Sequence, residues 1–236
     1  MLPNDKPTAL ITGASRGLGL ALARALAERS WNLIIDARGQ DALSKAQEEL
    51  SALTGVSAIP GDVSKESHRA ALAEAMEAAG GLDALVNNAS LLGPSPQPEL
   101  VDYPLNVLEE VYRVNVLAPL GLFQLASPHL KRGARVINVT SDAGVEPYPG
   151  WGGYGSSKAA LEQLSAIMAE ENPSLRVYWV DPGDMRTRMQ QDAFPGEDIS
   201  DRPPPEESVP GLLTLLEGSL PSGRYQARDL ELEGQE

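Results

Sequence analysis

Apolar runs of strand length alternate with segments of helical period along the 236-residue chain. "TALIT" at 8–12 reads as a strand, and the following "LGLALARALAERS" sets Leu18, Leu22, Ala25 and Leu26 on one helical face. "WNLIIDAR" is the second strand. A helix near 40–53, the strand "VSAIPGDV", a helix near 66–79 and the strand "LDALVNNA" come next. One long helix near 104–130, the strand "ARVINVTS", a helix over about 154–170 and the strand "LRVYWVDPG" continue the rhythm. A last amphipathic helix near 206–219 and a seventh strand within "SGRYQARDLELE" lead into a short acidic tail. Strand and helix in strict alternation predict βαβ units, hence an α/β fold: a single-domain, Rossmann-type, doubly wound parallel sheet of about seven strands with helices on both faces. Residues 184–207, polar and proline-rich, interrupt the pattern. That stretch is too long for a plain connector and is read as a loop on the substrate side.

Composition removes several classes of activity. Acidic side chains outnumber basic ones 33 to 19, so the surface repels nucleic acid and anionic lipid, and neither is expected as a partner. The absence of cysteine excludes disulfides, thiolate catalysis and cysteine-held zinc, and no metal site is expected. The two histidines, His68 and His129, sit in separate helix-like stretches and read as satisfied structural imidazoles. The start "MLPNDKPT" lacks the layout of a signal peptide, and no apolar run approaches the ~18 residues of a membrane span, so a cytoplasmic location is expected.

The chemistry concentrates first in "LITGASRGLG". Gly13 to Gly17 fits the G-x-S-x-G elbow of serine hydrolases, but such an elbow needs an acid and a histidine downstream, and the last histidine, His129, lies inside an apolar helical stretch. A glycine turn opening a helix fits phosphate better, because free N–H groups and the positive end of the helix dipole favour an anion. The spacing here is G-x-x-x-G-x-G. With "NNAS" (87–90), "YGSSK" (154–158) and "DPGDMRT" (181–187) following in order, the chain resembles the short-chain dehydrogenase/reductase family from about residue 8 to 232.

That resemblance implies a nicotinamide cofactor and assigns residues to it. Gly13, Ser15, Arg16, Gly17, Leu18 and Gly19 form the phosphate turn; Asp62 and Val63 meet the adenine; Asn88 and Ala89 flank the adenosine ribose; Pro182, Gly183, Met185 and Thr187 pass the nicotinamide carboxamide. Ser90 stands where the family usually has glycine. Arg38, with Arg16 as a second cation, favours the 2′-phosphate of NADP over NAD, and Asp36 is the counter-indication, since it can pair with Arg38 or receive a ribose hydroxyl.

The implied catalytic set is Asn115, Ser141, Tyr154 and Lys158. Tyr154 and Lys158 lie four apart, hence on one helical face. For a phenol to act near neutrality its pKa must fall by roughly three units, about 4 kcal/mol, and one ammonium at ~4.5 Å supplies nearly that at an effective dielectric of about 20. Ser141 would polarise a carbonyl, Lys158 would also bond the nicotinamide ribose, and Asn115 would hold a water leading to Lys158. The expected activity is hydride transfer between NADP(H) and a small carbonyl or alcohol substrate, with Tyr154 as general acid/base; the alternative is a catalytically silent NADP sensor of the same fold. Leu92, Tyr148 and Trp151 are expected to face the substrate, and a homodimer or homotetramer is expected from the family.

Overall fold

The computed structural model describes residues 6–230. The stretch read as an acidic tail therefore lies outside the described residues. In chain order the elements are β1 (Thr8–Ile11), α1 (Gly17–Glu28), β2 (Asn32–Ala37), α2 (Gln40–Ser51), β3 (Val56–Pro60), α3 (Glu66–Ala78), β4 (Leu82–Asn87), α4 (Leu105–Tyr112), α5 (Ala118–Ala126), β5 (Leu130–Val139), α6 (Gly152–Glu171), β6 (Arg176–Asp181), α7 (Arg188–Ala193), α8 (Val209–Glu217) and β7 (Gly223–Gln226). The strands form one sheet in the order β3-β2-β1-β4-β5-β6-β7, and every neighbouring pair is parallel.

Side chains alternate across this sheet, so each strand serves two cores. On one face Ile11, Leu33, Ile35, Val86 and Val180 meet α1, α2 and α8 through Leu22, Leu50 and Leu212. On the other, Leu10, Ile34, Leu85, Val136 and Val177 meet α3, α5 and α6 through Leu72, Phe123 and Met168. Burial on both faces is why the strands read as continuous apolar runs. The chain reverses its direction of travel across the sheet between β1 and β4, and a crevice opens beyond the carboxyl ends of those strands.

The single helix expected over 104–130 is three pieces. Leu105–Tyr112 is α-helical, Arg113–Leu117 is a π turn, and α5 ends at Ala126 before a 3-10 turn over Ser127–His129. Pro119 explains the first break: it has no N–H to give the Asn115 carbonyl, as an uninterrupted α-helix requires. Pro128 ends the helix in the same way, so His129 closes a turn and β5 begins at Leu130, earlier than its apolar pattern suggested. The 184–207 stretch has structure of its own. It holds α7, buries Ile199, and is pinned by the Arg186 N–H to the Pro203 carbonyl at 2.8 Å.

Candidate active site

A cavity of about 710 Å³ occupies the crevice. At one end is the turn between β1 and α1. Gly13 (φ 68°) and Gly17 (φ 56°) lie in the left-handed region that favours glycine. A Cβ on Gly19 would stand 2.5 Å from Asn88 Nδ2 and 2.6 Å from the Gly13 carbonyl oxygen, so the turn closes only without one. Arg16 is the N-cap of α1 and makes no side-chain cap, which leaves the first N–H groups of the helix facing the cavity. Ser15 and the largely buried Leu18 line the same end, and Thr187 leans over Gly17, 3.6 Å from where a Cβ would be. A pyrophosphate fits here, because the turn offers donors and a concave face that any larger residue would fill.

At the carboxyl end of β2 the Asp36 side chain is buried. Its Oδ1 accepts the Gly13 N–H at 2.8 Å and its Oδ2 is 2.8 Å from His68 Nε2, both out of solvent. The carboxylate thus bonds the glycine turn and α3, and no ion pair joins it to Arg38 among the described residues, while Asp36 also borders the cavity. His68 is a satisfied structural imidazole, as its sequence context suggested. Arg38 is exposed and lines the cavity with Arg16. Asp62 lies just past β3: burial pushes its carboxyl up, but the Ser64 N–H and hydroxyl and the charges of Arg38 and Lys65 outweigh this and hold it below the usual range. Val63 lines the cavity beside it.

Thr12 and Asn88 fasten β4 to this turn. Thr12 Oγ1 accepts the N–H groups of Asn88 and Ala89, each at 3.0 Å, and Asn88 Nδ2 donates to the Thr12 carbonyl at 2.8 Å. The Asn88 side chain thus braces the glycine turn; Asn88 and Ala89 also line the cavity.

At the other end stand Tyr154 and Lys158, one turn apart in α6 and both buried. The ammonium lies 5.4 Å from the phenol ring centroid and donates to the Val139 carbonyl at 2.7 Å. Burial raises the Tyr154 phenol and lowers Lys158 to about 7, with Glu162 opposing the latter. The Ser90 and Ser141 hydroxyls pull the phenol down by hydrogen bonding, while Asp181 and Asp142 push it up. In the site without nucleotide, burial is the largest influence on the phenol and holds it above its ordinary value.

Ser141 follows β5 and donates to Asp142 Oδ1 at 2.9 Å, while its oxygen accepts the Ala143 N–H at 3.2 Å. Asn115, in the π turn, is saturated by protein. Its Oδ1 accepts the Leu91 N–H (2.8 Å) and the Ser90 hydroxyl (3.2 Å), and its Nδ2 donates to the Leu91 carbonyl (2.9 Å) and Ser157 Oγ (2.9 Å). Its side chain is a brace between the loop after β4 and α6. Pro182, Gly183 and Met185 line the cavity after β6, where burial raises the Asp181 carboxyl. Leu92, Ala143 and Tyr154 pack with Trp151, Met189 and Ala193, so α7 supplies part of an apolar wall. Tyr148 is turned to the outside, and its hydroxyl donates to Asp142 Oδ2 at 3.0 Å.

The sequence reading missed Thr12, the Asp36–His68 pair, the Ser90–Asn115 hydrogen bond, and the Glu162–Arg224 pair (3.1 Å) behind Lys158. Alternation in β2 could have found the first pair, since Asp36 shares the parity of Ile34, which faces α3. Among the described residues no helix is long and apolar enough to cross a membrane.

Comparison with known proteins agrees with this architecture. The family described as short chain dehydrogenase matches residues 7–198. A rhamnolipid-biosynthesis 3-oxoacyl-[acyl-carrier-protein] reductase from Pseudomonas aeruginosa is 38% identical over 77% of this chain and 73% of its own. A Saccharomyces cerevisiae benzil reductase, (S)-benzoin forming, is 35% identical over 78% and 73%. Among solved structures, a short chain dehydrogenase from Escherichia coli CFT073 complexed with NADPH superposes with a TM-score of 0.84 at 29% identity, covering 96% of this chain and 98% of that one. With the parallel sheet, the glycine turn at its point of reversal and the match over most of its length, the chain belongs to the short chain dehydrogenase family of oxidoreductases.

Proposed function

We propose that the protein is an NADP(H)-dependent oxidoreductase that interconverts a small carbonyl compound and its alcohol, with Tyr154 as the general acid/base. One observation carries the reading: a buried Tyr154–Lys158 pair and the glycine turn with Arg16 and Arg38 line two ends of a single cavity. The names of the relatives, a 3-oxoacyl reductase and a benzil reductase, and the NADPH in the neighbouring structure support it. So does the inward turn of Asp36, which leaves the exposed guanidinium of Arg38 as the charged group at the carboxyl end of β2.

In this reading Gly13, Ser15, Arg16, Gly17, Leu18 and Gly19 hold the pyrophosphate, and Arg38 with Arg16 takes the 2′-phosphate. Asp62 and Val63 border the adenine, Asn88 and Ala89 its ribose, and Pro182, Gly183, Met185 and Thr187 the carboxamide, while Lys158 reaches the second ribose. Bound nicotinamide supplies the hydride. Tyr154 carries its proton at neutral pH and is placed to donate it to a carbonyl oxygen. Ser141 releases Asp142 and turns its hydroxyl to the same oxygen. Trp151, Leu92 and Met189 exclude water from the reacting groups. The stretch over 184–207 acts as the substrate-side wall.

The test is a panel of small ketones with NADPH and NADH under matched conditions, run on wild type and Tyr154→Phe. Wild type is expected to consume NADPH preferentially, and the variant to lose turnover by about a thousandfold or more while binding the nucleotide normally. Retained turnover in the variant overturns the role of Tyr154; a preference for NADH overturns that of Arg38. Tight NADPH binding with no turnover on any carbonyl favours the sensor.

A further inference from the structure

His68 stands in the first turn of α3, and its ring is fixed from two sides. Its Nε2 lies 2.8 Å from Asp36 Oδ2, and both side chains are buried. A carboxylate only accepts, so Nε2 carries the hydrogen and donates it. On the other side the ring lies against Gly61, where a Cβ would stand 2.1 Å from Nδ1 and 2.6 Å from Cε1; the imidazole has this place because residue 61 has no side chain. The next residue, Arg69, donates to the Val63 carbonyl at 2.7 Å, so the imidazole is carried on an anchored turn. Gly61 and Asp36 border the cavity, as Arg16 and Arg38 do. The Asp36 carboxylate therefore has two holds, the Gly13 N–H on Oδ1 and the His68 ring on Oδ2, and only the second keeps Oδ2 turned toward α3.

We propose that His68 is a positioning residue that sets coenzyme choice: by holding Asp36 Oδ2 inward it keeps an acid away from the place where Arg38 meets the 2′-phosphate. The inference deepens the assignment of this end of the cavity to the adenosine of NADP(H), and rests on it. A buried carboxylate oxygen that loses its donor is costly to leave unpaired. Without the imidazole N–H, Oδ2 turns to the nearest polar surroundings, the cavity that Asp36 already borders. There the carboxylate repels a 2′-phosphate and competes with it for Arg38, while it accepts the 2′-hydroxyl that NADH carries instead. With the imidazole in place the same acid does neither. The arginine at the end of β2 thus selects the phosphorylated coenzyme only while α3 keeps its neighbouring acid occupied.

The test is equilibrium binding of NADPH and NADH, by fluorescence titration, to wild type, His68→Leu, His68→Gln and the double variant His68→Leu/Asp36→Asn. Leucine fills the space and offers no donor, so the preference Kd(NADH)/Kd(NADPH) is expected to fall at least about tenfold, the scale of one hydrogen bond to a charged group. Glutamine, whose amide can donate to Asp36, is expected to keep the ratio within about threefold of wild type. So is the double variant, which has no charge left to turn outward. A histidine with a packing role alone would weaken both nucleotides alike. An unchanged ratio in His68→Leu therefore overturns the proposal, as does a fall that persists in the double variant or that glutamine shares in full. Where leucine yields too little folded protein, His68→Asn, too short to reach Asp36, is expected to give the same fall, and an unchanged ratio there overturns the proposal equally. Binding is read without turnover, so the two readings fail separately. A wild type that prefers NADH, or that reduces no carbonyl, defeats the proposed function, while a tenfold swing toward NADH in His68→Leu that Asp36→Asn cancels leaves His68 standing.

Discussion

Asp36 shows how much one strand position decides. An acid at the end of the second strand of such a sheet invites assignment to a ribose, but side chains alternate in a strand, and Asp36 falls on the face of Ile34 while Ala37 falls on the face of Ile35. Its carboxylate is therefore interior, shared between Gly13 and His68. Asp36→Ala removes the acceptor of one buried N–H and the partner of one buried imidazole, and is expected to destabilise the fold by about 2–4 kcal/mol in urea unfolding. Nucleotide titration should show NADPH and NADH weakened alike, their ratio unchanged within about threefold. A ratio swung strongly toward NADPH would mean that Asp36 does hold a ribose. The position was legible from the period of two; the identity of its partner was not, because His68 reaches it across 32 residues of chain.

Among the elements, the glycine turn is the least tolerant. Gly19→Ala puts a methyl group 2.6 Å from the Gly13 carbonyl oxygen, a backbone atom that moves only if the turn opens, and on the Asn88 amide that braces it. Nucleotide affinity measured by fluorescence titration is expected to fall at least about tenfold, the cost of roughly one such displaced hydrogen bond. Affinity within twofold of wild type would refute the close approach. This turn and the strands around it were readable because local composition dictates them: glycine for positive φ, apolar runs for strands covered on both sides. The π turn around Asn115 was not. Helical periodicity persists through it, and only Pro119 marks the break, at a place where a helix's first turn would tolerate proline equally well. The same limit hid Ser90 and Ser157, whose meaning comes from Asn115 standing between them.

For the whole molecule, burying Lys158 makes stability depend on pH. Its folded pKa, about 7, lies below the 10.5 of an ordinary lysine. Between those values the unfolded chain binds more protons than the folded one, so this contribution rises with pH, is complete above about 10.5 and is lost as pH falls to about 7. The raised Tyr154 opposes it only near and above pH 10. The unfolding free energy of the cofactor-free protein minus that of Lys158→Met should therefore climb from pH 7 to 9 at up to about 1.4 kcal/mol per unit. A difference independent of pH would show that the ammonium stays charged in the fold.

The reversal of the sheet between β1 and β4 has a consequence of another kind. Strands β1 to β3 carry the groups assigned to the nucleotide's phosphates and adenine, whereas β5, α6 and β6 carry Ser141, Tyr154 and the wall around them. On the proposed assignment, coenzyme choice and substrate choice fall to opposite halves of the barrier between two cores. An exchange of NADP for NAD would then call for changes in the first third of the chain and leave the wall around the reacting compound as it is.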